Sequence, residues 1–207
     1  VLFADDKFSS NSLKKYLSNS EFSYISDLLK NNDLKKNMFV FEVNSKKKIV
    51  LISIKKDLKN FDVENLGAEF YGRINYGKNS EYFINSDSII NKYENFVGHF
   101  LHGLKLKSYE FNKYKTKKET RFFSITVLGD KNKPSIQSQL KFKALEEGIF
   151  YAKDLVSEPG NVLHPDEYAR RLNSLRKDGL KINIYDEKKL KKLGMNALLG
   201  VGMGSIR

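Results

Sequence analysis

The sequence predicts an α/β fold in which a mixed β-sheet is flanked by helices. Residues 38–43 and 49–54 are short, β-rich apolar runs, and residues 122–128 form another. Between these runs, apolar residues recur three or four positions apart, which is the spacing of one helix face. Strands that alternate with helices along a chain indicate a layered α/β architecture.

The first two predicted strands form a hairpin, because the polar segment 44–48 separates them. Leu66, Phe70 and Ile74 then recur at helical spacing, and residues 81–85 are typical of another strand. The polar cluster 85–88 offers a start for the next helix. That helix carries a wide apolar stripe made of Ile89, Ile90, Tyr93, Phe96, Val97, Phe100, Leu101 and Leu104.

The strand at 122–128 ends at the turn Gly129-Asp130, and a domain boundary is predicted shortly after it. Residues 131–134 are polar and include Pro134, so we place an amino-terminal α/β domain at 1–133. A linker helix is predicted over 134–158, ending before Pro159 because proline disfavours a helical residue in front of it. Its helically spaced apolar positions are Ile136, Leu140, Leu145, Ile149, Ala152 and Val156.

Residues 159–207 are predicted to be the first α/β elements of an incomplete second domain. Pro165 suits the first turn of a helix, because its missing N–H would have no partner there, and Gly179 is a suitable stop. Residues 180–184 alternate between apolar and polar and predict a strand. Asp186 can cap a short helix that Gly194 ends, and the apolar residues 197–201 predict a second strand.

Composition limits the partners and the compartment. The chain has 207 residues, no cysteine and a formal net charge of +12. Without cysteine there is no disulfide framework and no thiolate metal site, which favours a cytoplasmic location. We expect neither a signal peptide nor a membrane-spanning helix. The lysines are scattered in short runs, so we interpret them as a solvated surface, with an anion-binding face as the alternative.

Three sequence blocks resemble the leucyl aminopeptidase (cytosol aminopeptidase) family in order and approximate spacing. The first covers 103–118 and reads GLKLKSYEFNKYKTKK. The second covers 152–165 and reads AKDLVSEPGNVLHP, and the third covers 193–205 and reads LGMNALLGVGMGS. Ser157 and His164 depart from the asparagine and threonine that the family often has there. At the start of a helix, histidine is a less reliable cap than threonine.

The resemblance implies an amino-terminal domain of macro-like α/β fold followed by the start of a metallopeptidase catalytic domain. It also implies a cytoplasmic hexamer that removes amino-terminal residues from peptides, using two divalent ions, Mn or Zn, to activate water and polarise the scissile carbonyl. None of the family's metal-binding motifs is present here. We therefore assign no catalytic, cofactor-binding or metal-binding residue, and expect this segment alone to be inactive and to bind no metal ion.

Several side chains of functional residue types are assigned structural roles. His99 and His102 could share a helix face, but a metal needs a further ligand. His164 is assigned to a helix cap. Gly200, Gly202 and Gly204 lack the G-x-G-x-x-G spacing of a phosphate loop and suit a closely packed strand, and Ser205 lacks the setting of a nucleophile. Four carboxylates on the linker helix are interpreted as solvated partners of lysines such as Lys143 and Lys153: Glu146, Glu147, Asp154 and Glu158.

The alternative function is a DNA-binding or regulatory module. Tyr109, Phe111 and Tyr114 are interleaved with Lys113, Lys115, Lys117 and Lys118, a pattern that offers stacking faces and cations to a nucleic acid. The same block belongs to the family resemblance, where it would be ordinary structure. A third, weaker alternative is a small-ligand module of the macro type.

Overall fold

The computed structural model describes residues 1–34, 36–74, 79–90, 93–117 and 122–204, without the side chains of residues 10, 11 and 79. The chain divides into two units, Val1–Phe150 and Tyr151–Arg207. The first unit contains all the strands of the described residues: β1 (Leu2–Asp5), β2 (Met38–Asn44), β3 (Lys47–Ile54), β4 (Asn79–Asn85) and β5 (Phe122–Leu128).

Seven α-helices and three 3-10 helices lie in the described part of the chain. The α-helices are α1 (Asn19–Lys30), α2 (Asn60–Ile74), α3 (Phe96–Lys107), α4 (Ile136–Ser157), α5 (Pro165–Ser174), α6 (Glu187–Lys192) and α7 (Asn196–Gly202). The 3-10 helices are Ser10–Tyr16, Ser86–Ser88 and Leu175–Asp178. None of these helices is long and apolar enough to cross a bilayer.

The strands of the first unit form two ladders that meet at the start of the chain. β1 is parallel to β3, β2 is antiparallel to β3, and β4 is parallel to β5. The Val1 nitrogen donates to Phe83 O at 2.6 Å, and the Asn85 N–H donates to Val1 O at 3.0 Å. This alternation is the hydrogen-bond pattern of parallel strands, so the strands follow one another in the order β2-β3-β1-β4-β5.

Helices cover both faces of this sheet. Successive side chains of β1 point to opposite faces and pack against the helices there. Leu2 and Ala4 belong to an apolar cluster with Ile25 and Leu29 of α1, whereas Phe3 lies in the opposite cluster. That second cluster is larger and takes its helical members from α2 and α3: Val63, Leu66, Phe70, Ile74, Phe96, Val97, Phe100 and Leu104. The predicted mixed sheet flanked by helices is therefore confirmed, as is the hairpin of β2 and β3.

The helix predicted from the polar cluster 85–88 starts later than expected. Residues 86–88 form a 3-10 helix, and α3 begins at Phe96 after Asn95, whose φ is 56°. The Ser86 hydroxyl donates to Leu128 O at 2.9 Å and the Ser88 hydroxyl donates to Asn85 O at 2.6 Å. These bonds tie the segment to the sheet, so it cannot continue as a helix. Ile89 still reaches the core, where it is 6% exposed.

The two strands predicted in the second unit are wrong. Leu180 to Ile184 have no regular structure, and residues 197–201 lie within α7. A strand needs a hydrogen-bonding neighbour, and no strand exists among the described residues of this unit to provide one. Ala197, Leu198 and Leu199 also have high intrinsic helix propensity.

Close contact between α2 and α3 depends on two glycines. A Cβ on Gly67 would lie 1.9 Å from Phe100 O, and a Cβ on Gly103 would lie 1.9 Å from Glu64 O. Neither backbone oxygen can move aside without separating the helices. The apolar cluster between these helices and the sheet therefore requires glycine at both positions.

We predict that Gly67→Ala lowers the free energy of unfolding of the first unit by about 1–3 kcal/mol, the usual effect of overpacking. Gly72→Ala is the matched control in the same helix, since nothing lies within 4 Å of its added Cβ. That change should raise stability by about 0.4–1 kcal/mol. Chemical denaturation of both variants measures the difference, and equal effects would contradict the packing of α2 against α3.

Candidate functional site

The second family-like block forms a helix-turn-helix segment in the second unit. α4 ends at Ser157, just before Glu158 and Pro159, as predicted. The N–H groups of Val162 and Leu163 both donate to Pro159 O at 2.9 Å and close the turn. α5 then starts with Pro165 as its first helical residue, after His164 as N-cap.

Glu158 holds this turn to α5. Its side chain is only 1% exposed, and its Oε1 accepts a hydrogen bond from Arg171 Nη1 at 2.8 Å. The interpretation of Glu158 as a solvated carboxylate is wrong, because its side chain is buried and bonded to an arginine. The turn at Pro159 folds α5 back so that an arginine thirteen positions away reaches the carboxylate.

Glu167 joins the same cluster from within α5. Its carboxylate accepts hydrogen bonds from Arg170 Nε at 2.6 Å and from Arg171 Nε at 2.7 Å. Hydrogen bonds from Arg170 and then Arg171 lower the pKa of Glu167 to about 2. The hydrogen bonds that Arg171 donates, first to Glu167 and second to Glu158, raise the pKa of Arg171. These groups stay charged near neutral pH, so the cluster is suited to holding structure and not to transferring protons.

His164 lies at the helix start, as predicted, but its ring does not cap the helix. No side-chain hydrogen bond is made to the first turn of α5. Within the described residues, its buried Nδ1 has no hydrogen-bond partner and lies 3.9 Å from Asp166 Oδ2. The first turn of α5 therefore lacks the acceptor that an N-cap side chain normally supplies.

The two histidines of α3 bind different carboxylates in the first unit. His99 Nδ1 lies 2.8 Å from Glu64 Oε1 of α2, and His102 Nδ1 lies 2.9 Å from Glu146 Oε1 of α4. The Phe142 ring packs against both imidazoles, with centroid distances of 5.0 and 4.8 Å. This cluster links three helices, so the interpretation of Glu146 as a solvated partner of lysine is also wrong.

The remaining acidic candidates on α4 behave differently. Glu147 Oε1 lies 3.9 Å from Lys143 Nζ on the exposed surface, which confirms the predicted pairing with that lysine. Asp154 and Lys153 each make further interactions within the chain. Across the described residues, no group of three or more His, Cys, Asp and Glu side chains is arranged to hold a metal ion. The described residues therefore do not fit the metal pair that the resemblance implies.

The aromatic residues of the first family-like block contact one another and α4. The Tyr109 ring lies 5.2 Å from the Phe150 ring of α4, and the Phe111 ring lies 5.8 Å from that of Tyr114. Lys113 Nζ lies 5.4 Å from the Tyr114 centroid. Tyr114 nevertheless remains 51% exposed. Lys118, the last residue of the block, lies outside the described residues.

The glycines near the end of the chain do not form a strand. Gly200 and Gly202 lie in α7, and Gly204 follows it. A Cβ on Gly200 or Gly202 would meet nothing within 4 Å, so close packing does not require glycine at either position. Ser205 lies outside the described residues.

Comparison with known proteins identifies the class of this chain. A sequence model of the cytosol aminopeptidase family, catalytic domain, matches residues 150–207. The "Probable cytosol aminopeptidase" of Bradyrhizobium sp. (strain BTAi1 / ATCC BAA-1182) is 41% identical over 109 residues, which are 51% of this chain and 22% of that protein. The protein of the same description from Nitrobacter winogradskyi is 30% identical over 167 residues, which are 77% of this chain and 33% of that protein.

Solved structures agree on the fold. A mutant of tomato leucine aminopeptidase superposes with a TM-score of 0.70 at 16% identity, covering 91% of this chain and 40% of that one. The bottromycin maturation enzyme BotP in complex with Mn gives 0.60 at 14% identity, covering 80% and 36%.

The chain belongs to the cytosol aminopeptidase family, a family of metal-dependent aminopeptidases. It spans about a fifth to a third of the length of the curated relatives it matches. The resemblance drawn from the three sequence blocks is thereby confirmed.

The cluster of Glu158, Glu167 and Arg171 was missed by the sequence analysis. The positions of Arg170 and Arg171 relative to Glu167 could have predicted part of this cluster. The hydrogen bond that Glu158 accepts from Arg171 depends on the fold.

We predict that His164→Thr stabilises the second unit by about 0.5–2 kcal/mol, because a threonine hydroxyl can accept the N–H bond that the imidazole does not. Amide exchange in the first turn of α5, measured by NMR, should slow. His164→Ala is the control and should bring no such protection, since it leaves the cap empty. Equal exchange in the threonine variant and the wild type would mean that the first turn gains nothing from a cap.

Proposed function

We propose that this chain is the amino-terminal portion of a two-metal aminopeptidase that removes amino-terminal residues from peptides during protein turnover. The single observation that carries the proposal is the family match over residues 150–207, which falls on the catalytic domain. The fold of tomato leucine aminopeptidase, shared over 91% of the chain, supports the same placement.

Different parts of the chain have different roles in this proposal. Residues 1–133 form a non-catalytic domain, residues 134–158 a linker helix, and residues 159–207 the start of the catalytic domain. The intact protein acts on peptides in the cytoplasm as a hexamer, and the amino-terminal domain shapes assembly and access to the active sites. The names of the curated relatives, cytosol aminopeptidases, support the compartment and the substrate class.

Two divalent ions, Mn or Zn, would activate a water molecule and polarise the scissile carbonyl in the intact enzyme. BotP, a solved structure of similar fold, is in complex with Mn, which supports that choice of metal. Because the described residues gather no group that could hold a metal ion, we assign the metal ligands to other residues of the intact protein.

Within the chain, the buried bond between Glu158 and Arg171 has a positioning role. It fixes the turn between α4 and α5, where the match to the catalytic domain begins. A carboxylate that is 1% exposed and accepts a hydrogen bond from an arginine has a structural role.

Hydrolysis of L-leucine 4-nitroanilide in the presence of Mn²⁺ tests the proposal. We expect no turnover above the metal-only blank from the 207-residue chain, and Mn²⁺-dependent turnover from the protein made from the full reading frame of its gene. Turnover by the chain alone would show that it holds catalytic groups not assigned above. An inert, folded full-length protein would contradict the aminopeptidase assignment.

A further inference from the structure

A cleft of about 980 Å³ lies in the first unit, at one edge of the sheet. Its walls come from the segments that follow three strands: Lys14, Lys15 and Tyr16 after β1, Ile89 and Ile90 after β4, and Lys131 after β5. Because β1, β4 and β5 run parallel, their carboxyl ends meet at this edge. The volume is within the range of small-molecule sites.

The cleft coincides with a change in the direction of the chain crossovers. After β1 the chain enters α1, which packs with Leu2 and Ala4 on one face of the sheet. After β4 it enters α3, whose Phe96 and Phe100 pack with Phe3 on the other face. The loops after two adjacent parallel strands therefore diverge to opposite faces. In open α/β sheets, ligands bind in the crevice that such a divergence creates.

Asp87 holds the walls of the cleft in place. Its Oδ1 accepts the N–H groups of Asp130 and Lys131 at 3.0 and 2.7 Å, and its carbonyl oxygen accepts the Tyr16 hydroxyl at 2.6 Å. The segments after β1 and β5 are thus both bonded to the segment after β4. Gly129 permits this approach, since its φ is +104° and a Cβ would lie 2.8 Å from the Asp87 side chain.

The charged residues that line the cleft are mainly lysines. In the described part of the chain, none of Lys14, Lys15 and Lys131 has a carboxylate partner within 4.0 Å. The Lys15 ammonium lies 4.7 Å from the Tyr16 ring centroid at the cleft, and the Lys14 ammonium lies 5.9 Å from the Phe22 ring centroid. The only acidic side chain among the lining residues is Asp87, whose Oδ1 is occupied by backbone N–H groups. Ile90, which is 54% exposed, and Tyr16 add apolar surface beside these cations.

We propose that this cleft binds a phosphorylated small molecule of the mononucleotide class, with the phosphate held by Lys14, Lys15 and Lys131 and the ring against Ile90 and Tyr16. This function is separate from peptide hydrolysis. The N–H groups of Asp130 and Lys131 are already bonded to Asp87, so binding of the phosphate depends on the lysine side chains. Affinity should therefore fall as the salt concentration rises.

Isothermal titration of the purified chain with adenosine 5′-monophosphate, inorganic phosphate and adenosine tests the proposal. We expect saturable binding of the nucleotide, weaker binding of phosphate and weaker binding of adenosine. Lys14→Ala/Lys15→Ala should weaken nucleotide binding about tenfold or more, because it removes two charge-assisted contacts. Lys188→Ala/Lys189→Ala removes the same charge from exposed residues of the second unit and should leave binding unchanged.

A second variant guards against indirect effects on folding. Ile90→Asp places a carboxylate at an exposed position in the cleft and should also abolish nucleotide binding, while circular dichroism shows an unchanged fold. Failure of the wild-type chain to bind the nucleotide would overturn the proposal. So would equal loss of binding in the cleft and control lysine variants, which would indicate a general attraction of anions to a basic protein. Phosphate binding as tight as nucleotide binding would overturn the mononucleotide class.

Discussion

The fold of the first unit depends on how β1 is bonded along the side that faces β4. β1 has four residues, and β3 occupies its other side. Toward β4, Val1 supplies a strand-like pair of hydrogen bonds, and beyond the end of β4 the Phe3 N–H donates to the Ser88 hydroxyl at 2.9 Å. The Ser88 hydroxyl in turn donates to Asn85 O. One buried side chain thus continues the bonding of the central strand beyond Val1 and brings the 3-10 helix Ser86–Ser88 beside it. The position of that segment decides where the cleft opens and where α3 begins.

The two units carry different kinds of functional information. The second unit contains the match to a catalytic domain. The charged side chains near the matched turn bind each other: Glu158 accepts a hydrogen bond from Arg171, and Glu167 accepts hydrogen bonds from Arg170 and Arg171. The first unit has a sheet with an open cleft at the carboxyl ends of its strands, lined by lysines that have no carboxylate partners among the described residues. Family membership therefore supports the activity proposed for the intact protein, whereas the cleft carries a separate proposal for the first unit.

Much of the fold could be predicted from patterns within single segments. The hairpin of β2 and β3, helix α2, strand β5 and the end of α4 at Pro159 all have local signals. β1 has too few residues for a pattern to be recognised, although it lies at the centre of the sheet. Residues 197–201 were predicted as a strand because apolar content alone does not separate a buried strand from a short helix. The partners of Glu146 and Glu158 could not be predicted, because His102 and Arg171 reach them only through tertiary structure.

The most direct test of this account is the stability of the first unit in Ser88→Ala, with Ser23→Ala on the exposed surface of α1 as control. Removal of the hydroxyl leaves the buried N–H of Phe3 without its acceptor, so denaturant unfolding should show a loss of about 1–3 kcal/mol. Hydrogen exchange of the Phe3 amide should accelerate, while the control variant keeps the wild-type stability and exchange rate. Unchanged stability and unchanged exchange in Ser88→Ala would contradict the central place given to this bond.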